Sequence, residues 1–167
     1  MEIRSARVED DAIIRDITYA AFLNHPHHIV GAVPTEHLII DRLRESGALT
    51  LSLVALLNNN ICGAIIASPV TVNGRAGGII GIGPLAVAQS YQRRGVGSAL
   101  IAHCIEALDR LDVAAIVVLG DARLYGRFGF NPDPRLRLGG VPPEYFMTLP
   151  LSDDLPEGEV AYHAAFT

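Results

Sequence analysis

The sequence predicts a single mixed α/β domain in which a mostly antiparallel central sheet is flanked by helices. A chain of 167 residues, half of them hydrophobic and 19% charged, has the size and composition of one folded domain. Segments with the two-residue period of strands alternate with segments of helical period. Two turn signals between adjacent β-rich segments indicate an antiparallel meander, which argues against a purely parallel, doubly wound sheet.

The first third of the chain predicts one strand and two helices. Residues 2–6 form a short strand, and residues 8–22 place apolar side chains on one helical face. The acidic residues at positions 9–11 lie in the first turn, where the helix dipole favours carboxylates. Thr35 is the expected cap of a second helix over residues 36–45, which ends at Gly47.

The middle of the chain predicts a meander followed by a helix. Residues 50–57 and 61–72 are β-rich and joined by a turn of three asparagines, and Asn73-Gly74 is a second hairpin signal. Residues 79–87 predict a third strand, which Gly81, Gly83 and Pro84 make irregular or bulged. Residues 95–111 have the spacing of an amphipathic helix.

The last third predicts a buried strand, a short helix and two closing strands. Residues 113–119 are fully apolar, as in the middle of a sheet. Asp121 is the expected cap of a short helix that ends near Gly129, and a proline-rich loop occupies residues 132–143. Residues 145–149 and 159–163 read as strands, so the predicted order is β-α-α-β-β-β-α-β-α-β-β.

The charge pattern excludes several classes of function. All 13 basic residues are Arg, and 18 acidic residues give a formal net charge of −5. Such a chain lacks the basic runs that neutralise duplex phosphates, which argues against nucleic acid as a partner. The absence of Lys excludes a Walker-type phosphate loop. A polar N-terminal segment unlike a signal peptide, and apolar runs too short to span a bilayer, predict a cytoplasmic protein with no membrane partner.

Two further patterns favour ordinary structural roles. Cys62 and Cys104 form neither a disulfide framework nor a metal quartet, so we expect small buried thiols and no metal. Gly81-Ile82-Gly83 imitates the start of a dinucleotide-binding fingerprint, but it lies within a strand and Pro84 follows it.

A glycine-rich turn after the third strand of the meander predicts an anion site. The segment Gln92-Arg93-Arg94-Gly95-Val96-Gly97 follows the strand and opens the amphipathic helix. The first amides of a helix have no intrahelical partner and carry the positive end of its dipole. Glycine lets a phosphate approach the backbone, and the two arginines add positive charge. The structural alternative is a tight strand-to-helix turn without a ligand.

This Gln-x-x-Gly-x-Gly pattern resembles the pyrophosphate loop of the GCN5-related N-acetyltransferase (GNAT) superfamily. A second block, from Val118 to Phe130, resembles the next strand and helix of that family, with its Tyr-x-x-x-Gly-Phe ending. The tail, with residues 141–147 and then Tyr162-His163, resembles a bacterial subgroup of predicted N-acetyltransferases. The resemblance implies the GNAT acyl-CoA N-acyltransferase fold as one domain over residues 1–167.

The resemblance also implies the activity and the cosubstrate. It implies transfer of the acetyl group of acetyl-CoA to a primary amine by direct attack in a ternary complex, because neither cysteine is placed as a nucleophile. Tyr125 matches the family position whose hydroxyl lies near the CoA sulfur, where it acts as general acid toward the leaving thiolate. The implied contacts of acetyl-CoA are the strand residues Leu85, Ala86 and Val87, for the pantetheine arm, and Gln92, Arg93, Arg94, Gly95, Val96, Gly97 and Ser98, for the pyrophosphate.

The sequence offers several candidates for the general base. Many family members carry a Glu on the strand before the loop, but residues 79–87 contain no carboxylate. Glu36 is the first candidate, and His25, His27 and His28, in the region that usually forms the acceptor site, are alternatives, as is proton loss through water and backbone carbonyls. Arg135 is a further candidate for lining the acceptor pocket.

The missing carboxylate keeps two other hypotheses open. One is an acyl-CoA-binding sensor or regulatory module with little catalytic activity, and the other is an interaction protein on the same scaffold that has lost CoA. The resemblance leaves the acceptor as a small-molecule or peptide amine, and it leaves open a homodimer formed through the late strands.

Overall fold

A computed structural model describes residues 1–23 and 32–167. The histidines at positions 25, 27 and 28 lie outside the described residues. The strands are β1 (Glu2–Ser5), β2 (Leu51–Leu57), β3 (Asn60–Val72), β4 (Arg75–Val87), β5 (Ala115–Leu119), β6 (Leu136–Arg137), β7 (Phe146–Pro150) and β8 (Gly158–Ala161). The α-helices are α1 (Asp11–Phe22), α2 (Ile39–Glu45), α3 (Val96–Asp109) and α4 (Ala122–Tyr125). One-turn 3-10 helices span Val8–Asp10, Glu36–Leu38, Gln89–Tyr91, Gly126–Phe128, Pro143–Tyr145 and Ala164–Phe166.

The strands form one open, mixed sheet. Its order is β1-β2-β3-β4-β5-β7, and β8 pairs both with the outer end of β3 and with the short β6. Neighbours along this path are antiparallel, apart from the parallel pair β4 and β5. The predicted mixed, mostly antiparallel sheet flanked by helices is therefore confirmed.

Both hairpin turns of the meander form where the sequence places them. Asn58 and Asn59 have φ values of 50° and 64°, and Asn73 and Gly74 have 49° and 77°. Two consecutive left-handed residues match the right-handed twist of the flanking strands, and Asn and Gly adopt that conformation most readily. These turns pair β2 with β3 and β3 with β4.

The starts of the first two helices differ from expectation. Thr35 makes no side-chain capping bond, and the segment begins with a 3-10 turn before α2. Asp10 accepts a bond from the Arg7 amide and pairs with Arg4 at 2.7 Å, so the Arg4 guanidinium holds the pKa of that carboxyl below its usual range. Asp11 pairs with Arg44 at 2.7 Å and ties α1 to α2. These carboxylates therefore join elements rather than only facing a helix dipole.

The sheet is covered on both faces. Leu100, Ile101 and Cys104 of α3 pack on one face with the side chains of β5. On the other face, Ile14 of α1 and Ile40 of α2 pack against β2 and β3. Among the residues that the structure describes, no helix is long and apolar enough to cross a membrane.

Candidate functional site

The two parallel strands separate after a short paired stretch. β4 and β5 are in register from Ile79 with Ala115 to Gly81 with Val117. Beyond Gly81, β4 continues to Val87 paired with β3, while β5 continues paired with β7. Within residues 1–23 and 32–167, no strand pairs with this edge of β4 after Gly81. The divergence opens a wedge in the sheet.

The predicted irregularity of this strand is a bulge at the start of the wedge. Ile65 lies opposite Leu85, whereas Ala67 lies opposite Ile82, so β4 contains one residue more than β3 over this stretch. Gly83 adopts a φ of 133°, and no described atom lies within 4 Å of where its Cβ would stand. The bulge therefore leaves open space beside the backbone.

A cleft of about 650 Å³ lies at the wide end of the wedge. Its walls come from the last turn of α1, the end of β4, the start of α3, and the segment of α4 with the turn that follows it. The lining residues are Ala21, Phe22, Leu85, Val87, Tyr91, Gln92, Arg93, Gly95, Val96, Gly97, Ser98, Leu124 and Arg127.

The glycine-rich loop presents backbone amides to this cleft. Arg93 and Gly95 are left-handed, with φ values of 60° and 81°, and this reversal brings the chain into α3. The first bond of the helix runs from the Ala99 amide to the Gly95 carbonyl at 3.0 Å. The amides of positions 96–98 therefore precede the helical ladder and carry the positive end of the dipole. The Gln92 side chain donates to the Val87 carbonyl at 3.1 Å and fastens the loop to β4.

The charges near the loop are unevenly placed. Arg93 lines the cleft, whereas Arg94 lies over the Tyr91 ring at 5.7 Å from its centre. Arg127 also lines the cleft and donates to Ser98 Oγ at 3.4 Å. Arg127 was not predicted as a site residue, although it lies inside the block from Val118 to Phe130 that resembles the family. Of the predicted cosubstrate residues, only the buried Ala86 and Arg94 do not line the cleft.

Tyr125, the predicted general acid, is buried at the end of α4. Asp121 accepts a bond from the Arg123 amide at 2.8 Å and caps this helix, as expected. The Tyr125 ring meets Phe130 edge-on at 5.8 Å and leaves only 7% of the residue exposed. Burial, with a smaller contribution from Cys104, raises the pKa of Tyr125 to about 12. The phenol is therefore a neutral donor across the physiological range.

Glu36, the tentative base, lies apart from the cleft lining. Its carboxylate accepts a bond from the Thr35 amide at 3.0 Å, and its 3-10 turn packs against α1. The neighbouring His37 was not considered from the sequence. Its ring lies edge-on to Tyr19 at 5.1 Å, and its Nδ1 is buried without a hydrogen-bond partner in the described part of the chain. Arg135 forms a local ion pair with Asp133 at 2.7 Å.

Both cysteines are fully buried and unpaired, as expected. Burial raises the pKa of Cys62 and raises that of Cys104 to about 12. Thiols in this state are poor nucleophiles because the reactive thiolate is disfavoured. Among the described residues, no cluster of three His, Cys, Asp or Glu side chains has the arrangement of a metal site.

Comparison with known proteins identifies the family. Residues 14–130 match the model of the acetyltransferase (GNAT) family. The uncharacterized N-acetyltransferase YhbS of Escherichia coli K12 is 37% identical over 139 residues, which cover 78% of this chain and 83% of that protein.

Two solved structures resemble the whole chain. A GNAT family acetyltransferase from Brucella melitensis, crystallised with acetyl-CoA, has a TM-score of 0.85 at 38% identity, covering 99% of this chain and 97% of that one. YhbS from Escherichia coli, crystallised with CoA, has a TM-score of 0.85 at 32% identity, and the match covers 99% of this chain and 91% of that one. The family model and the 37% identical relative show that the chain belongs to the GNAT acetyltransferase family.

Proposed function

We propose that this protein transfers the acetyl group of acetyl-CoA to a primary amine acceptor. The observation that carries the proposal is the wedge between β4 and β5. The amide-lined start of α3 lies at its wide end. Tyr125 is not itself in the cleft lining, but its neighbour Leu124 is, and Tyr125 packs with Val118 of β5 in the cluster under α3. The acetyl-CoA and CoA in the two similar crystal structures support the same ligand here.

The residues of the cleft fit the parts of acetyl-CoA. The amides of Gly95 to Ser98 suit the pyrophosphate, since a helix start offers unpaired donors and a favourable dipole. Arg93 and Arg127 add positive charge beside those amides in a chain of net charge −5. The unpaired edge of β4 at residues 85–87 suits the amide groups of the pantetheine arm, which would bind as an added strand.

The chemistry assigned to the chain is direct acyl transfer. The amine nitrogen forms a bond to the carbonyl carbon, and the bond between that carbon and sulfur breaks. We assign Tyr125 as the donor of a proton to the departing sulfur, and burial keeps its phenol neutral before that step. The buried cysteines support a mechanism without an acyl-enzyme.

Glu36 is our proposed acceptor for the proton that the attacking amine loses. It lies on the turn that packs against α1, and the last turn of α1 forms one wall of the cleft. We assign the transfer to one bridging water, because a general base acts directly or through one water.

The test is an acceptor screen with saturating acetyl-CoA. The panel contains small diamines, free amino acids, and peptides that offer only an α-amine or only a lysine amine. Release of free thiol and a mass increase of the acceptor by one acetyl group are the two readouts. We expect turnover with one class of amine, and Tyr125→Phe is the control with impaired chemistry.

One other outcome of the screen, and a separate measurement of melting temperature, would contradict parts of this proposal. Binding of acetyl-CoA without thiol release on any acceptor would favour a sensor over an enzyme, the alternative left open by the absence of a carboxylate in β4. No rise in melting temperature at millimolar acetyl-CoA would contradict binding itself, because a ligand of the native state must stabilise it.

A further inference from the structure

Tyr162 crosses β4 at the point where the parallel strands separate. It follows β8, whose Ala161 pairs with Thr71 at the outer end of β3. A Cβ on Gly81 would stand 2.6 Å from Cε1 of the Tyr162 ring, so glycine at this position leaves room for the ring. Gly81 is also the last residue of β4 that pairs with β5. The ring therefore lies beside the narrow end of the wedge.

The hydroxyl of Tyr162 is buried and has no hydrogen-bond partner among the described residues. Phe166 contacts the ring at 5.2 Å between centres, and the side chain packs into the cluster formed with Val70 and Val117. A buried polar group left unpaired destabilises the folded state. Phenylalanine would fill the same space without that cost, so the hydroxyl calls for a ligand or a water as its partner.

Two more buried hydroxyls lie in the row of paired residues that runs across the sheet through Gly81. Ser68 is opposite Gly81 in β3, and Thr148 is opposite Val117 in β7. Residues directly opposite each other share one face of a sheet, so this row shares the face that Tyr162 covers. Like Tyr162, both hydroxyls are buried without partners in the described part of the chain. The narrow end of the wedge is therefore lined by three hydroxyl groups, those of Ser68, Thr148 and Tyr162.

Tyr125 approaches from the opposite face of the sheet. It packs in the cluster under α3, whereas Tyr162 packs in the cluster on the other face. Burial, together with the nearby Tyr125, raises the pKa of Tyr162, so its phenol stays protonated. The two neutral donors thus stand on the two sides of the gap between β4 and β5, and open space adjoins the backbone at Gly83.

We propose that the Tyr162 hydroxyl is a second catalytic donor, which hydrogen-bonds the carbonyl oxygen of the bound acetyl thioester. The proposal rests on the proposed function. As the amine forms its bond to carbon, the carbonyl π electrons move onto oxygen, and Tyr162 stabilises that negative charge. The electron pair on oxygen then re-forms the carbonyl double bond, the carbon–sulfur bond breaks, and sulfur takes the proton of Tyr125. The proton lost by the amine passes to Glu36 or water, and solvent returns a proton to Tyr125.

The direct test measures the hydrogen bond without any acceptor. The infrared band of the carbonyl of [1-13C]acetyl-CoA is recorded when bound to the wild type and to Tyr162→Phe. We expect the band to move to higher wavenumber in Tyr162→Phe, because a lost hydrogen bond strengthens the C=O bond. Ser52→Ala is the matched control, since it also removes a buried, unpartnered hydroxyl, but from β2, which β3 separates from β4. An unshifted band with ligand bound overturns the proposal.

Kinetics provide a second test. We expect Tyr162→Phe to lower kcat about 100-fold, the usual effect of removing one donor to a developing oxyanion, with KM for acetyl-CoA nearly unchanged. Ser52→Ala is expected to change neither constant. If Tyr162→Phe fails to fold, Gly81→Ala is the second variant, because its Cβ displaces the ring and should shift the same band. A band shift without transfer to any amine contradicts the proposed function but supports this donor, whereas transfer with an unshifted band contradicts only the donor.

Discussion

The left-handed residue that begins α3 allows a quantitative test of the acetyl-CoA site. Gly95 has a φ of 81°, and no described atom lies within 4 Å of where its Cβ would stand. Gly95→Ala therefore introduces no contact with those residues, and its effect is purely conformational. An L-residue in this region costs about 1–2 kcal/mol. Alanine also restricts the unfolded chain, which offsets about 0.4–1 kcal/mol of this. We expect a net loss of about 1 kcal/mol.

The same strain should weaken binding if the loop relaxes to relieve it. Acetyl-CoA then has to restore the native loop, and about 1 kcal/mol corresponds to about a fivefold weaker Kd. Urea unfolding measures the loss of stability, and isothermal titration calorimetry measures the Kd.

Two matched glycines separate these effects. Gly47 has a φ of 70° and the same open surroundings, but it follows α2 and does not line the cleft. Gly47→Ala should cost similar stability and leave the Kd unchanged. Gly126 is equally open but has a helical φ of −58°, so Gly126→Ala should not destabilise. Equal weakening of acetyl-CoA binding in Gly47→Ala and Gly95→Ala would refute the reasoning, as would a Gly95→Ala protein as stable and as tight-binding as the wild type.

Four further predictions follow from the site. Tyr125→Phe should lower kcat about 100-fold with little change in KM for acetyl-CoA, and a parallel loss of both constants would argue against an acid role. Glu36→Gln should lower kcat at neutral pH and recover as rising pH deprotonates the amine in solution, whereas a pH-independent loss would indicate a structural role. Burial raises the pKa of Tyr125 to about 12 against 10 in the unfolded chain, so stability should be intact below pH 10 and fall by about 3 kcal/mol in total as pH rises through 12. Urea unfolding should show this loss reduced in Tyr125→Phe. Arg127→Ala should weaken CoA binding and its dependence on salt, while Arg123→Ala should not, because Arg123 pairs with Asp121 and does not line the cleft.

Local signals in the sequence were sufficient for the turns and for the loop. The Asn58-Asn59 and Asn73-Gly74 turns depend on backbone preferences of the residues themselves, and the structure confirms both hairpins. The glycine-rich loop likewise predicts the start of a helix, since Gly95 adopts its left-handed φ without steric cost. Such features are encoded within a few residues, so reading them needs no knowledge of the fold.

Contacts between distant segments were not readable in the same way. β6 has only two residues inside a proline-rich loop, and it exists because β8 pairs with it. The contribution of Arg127 to the cleft depends on how α4 and the turn after it lie beside α3. Tyr162 reaches Gly81 only because β8 returns to pair with β3. Each of these contacts follows from the path of the whole chain.

The position of the Tyr162 ring explains why one position of β4 carries no carboxylate. On the face that carries Ile79, the next position of β4 is Gly81, whose space the Tyr162 ring occupies. A glutamate at Gly81 would collide with that ring, so an acidic side chain at this position and this placement of the tail exclude each other. Polar groups reach the narrow end of the wedge from Ser68, Thr148 and Tyr162, and all three are neutral donors rather than bases. In a site so built, the proposed base Glu36 comes from the α1 and α2 side, and the proposed donor to the carbonyl oxygen is the Tyr162 hydroxyl.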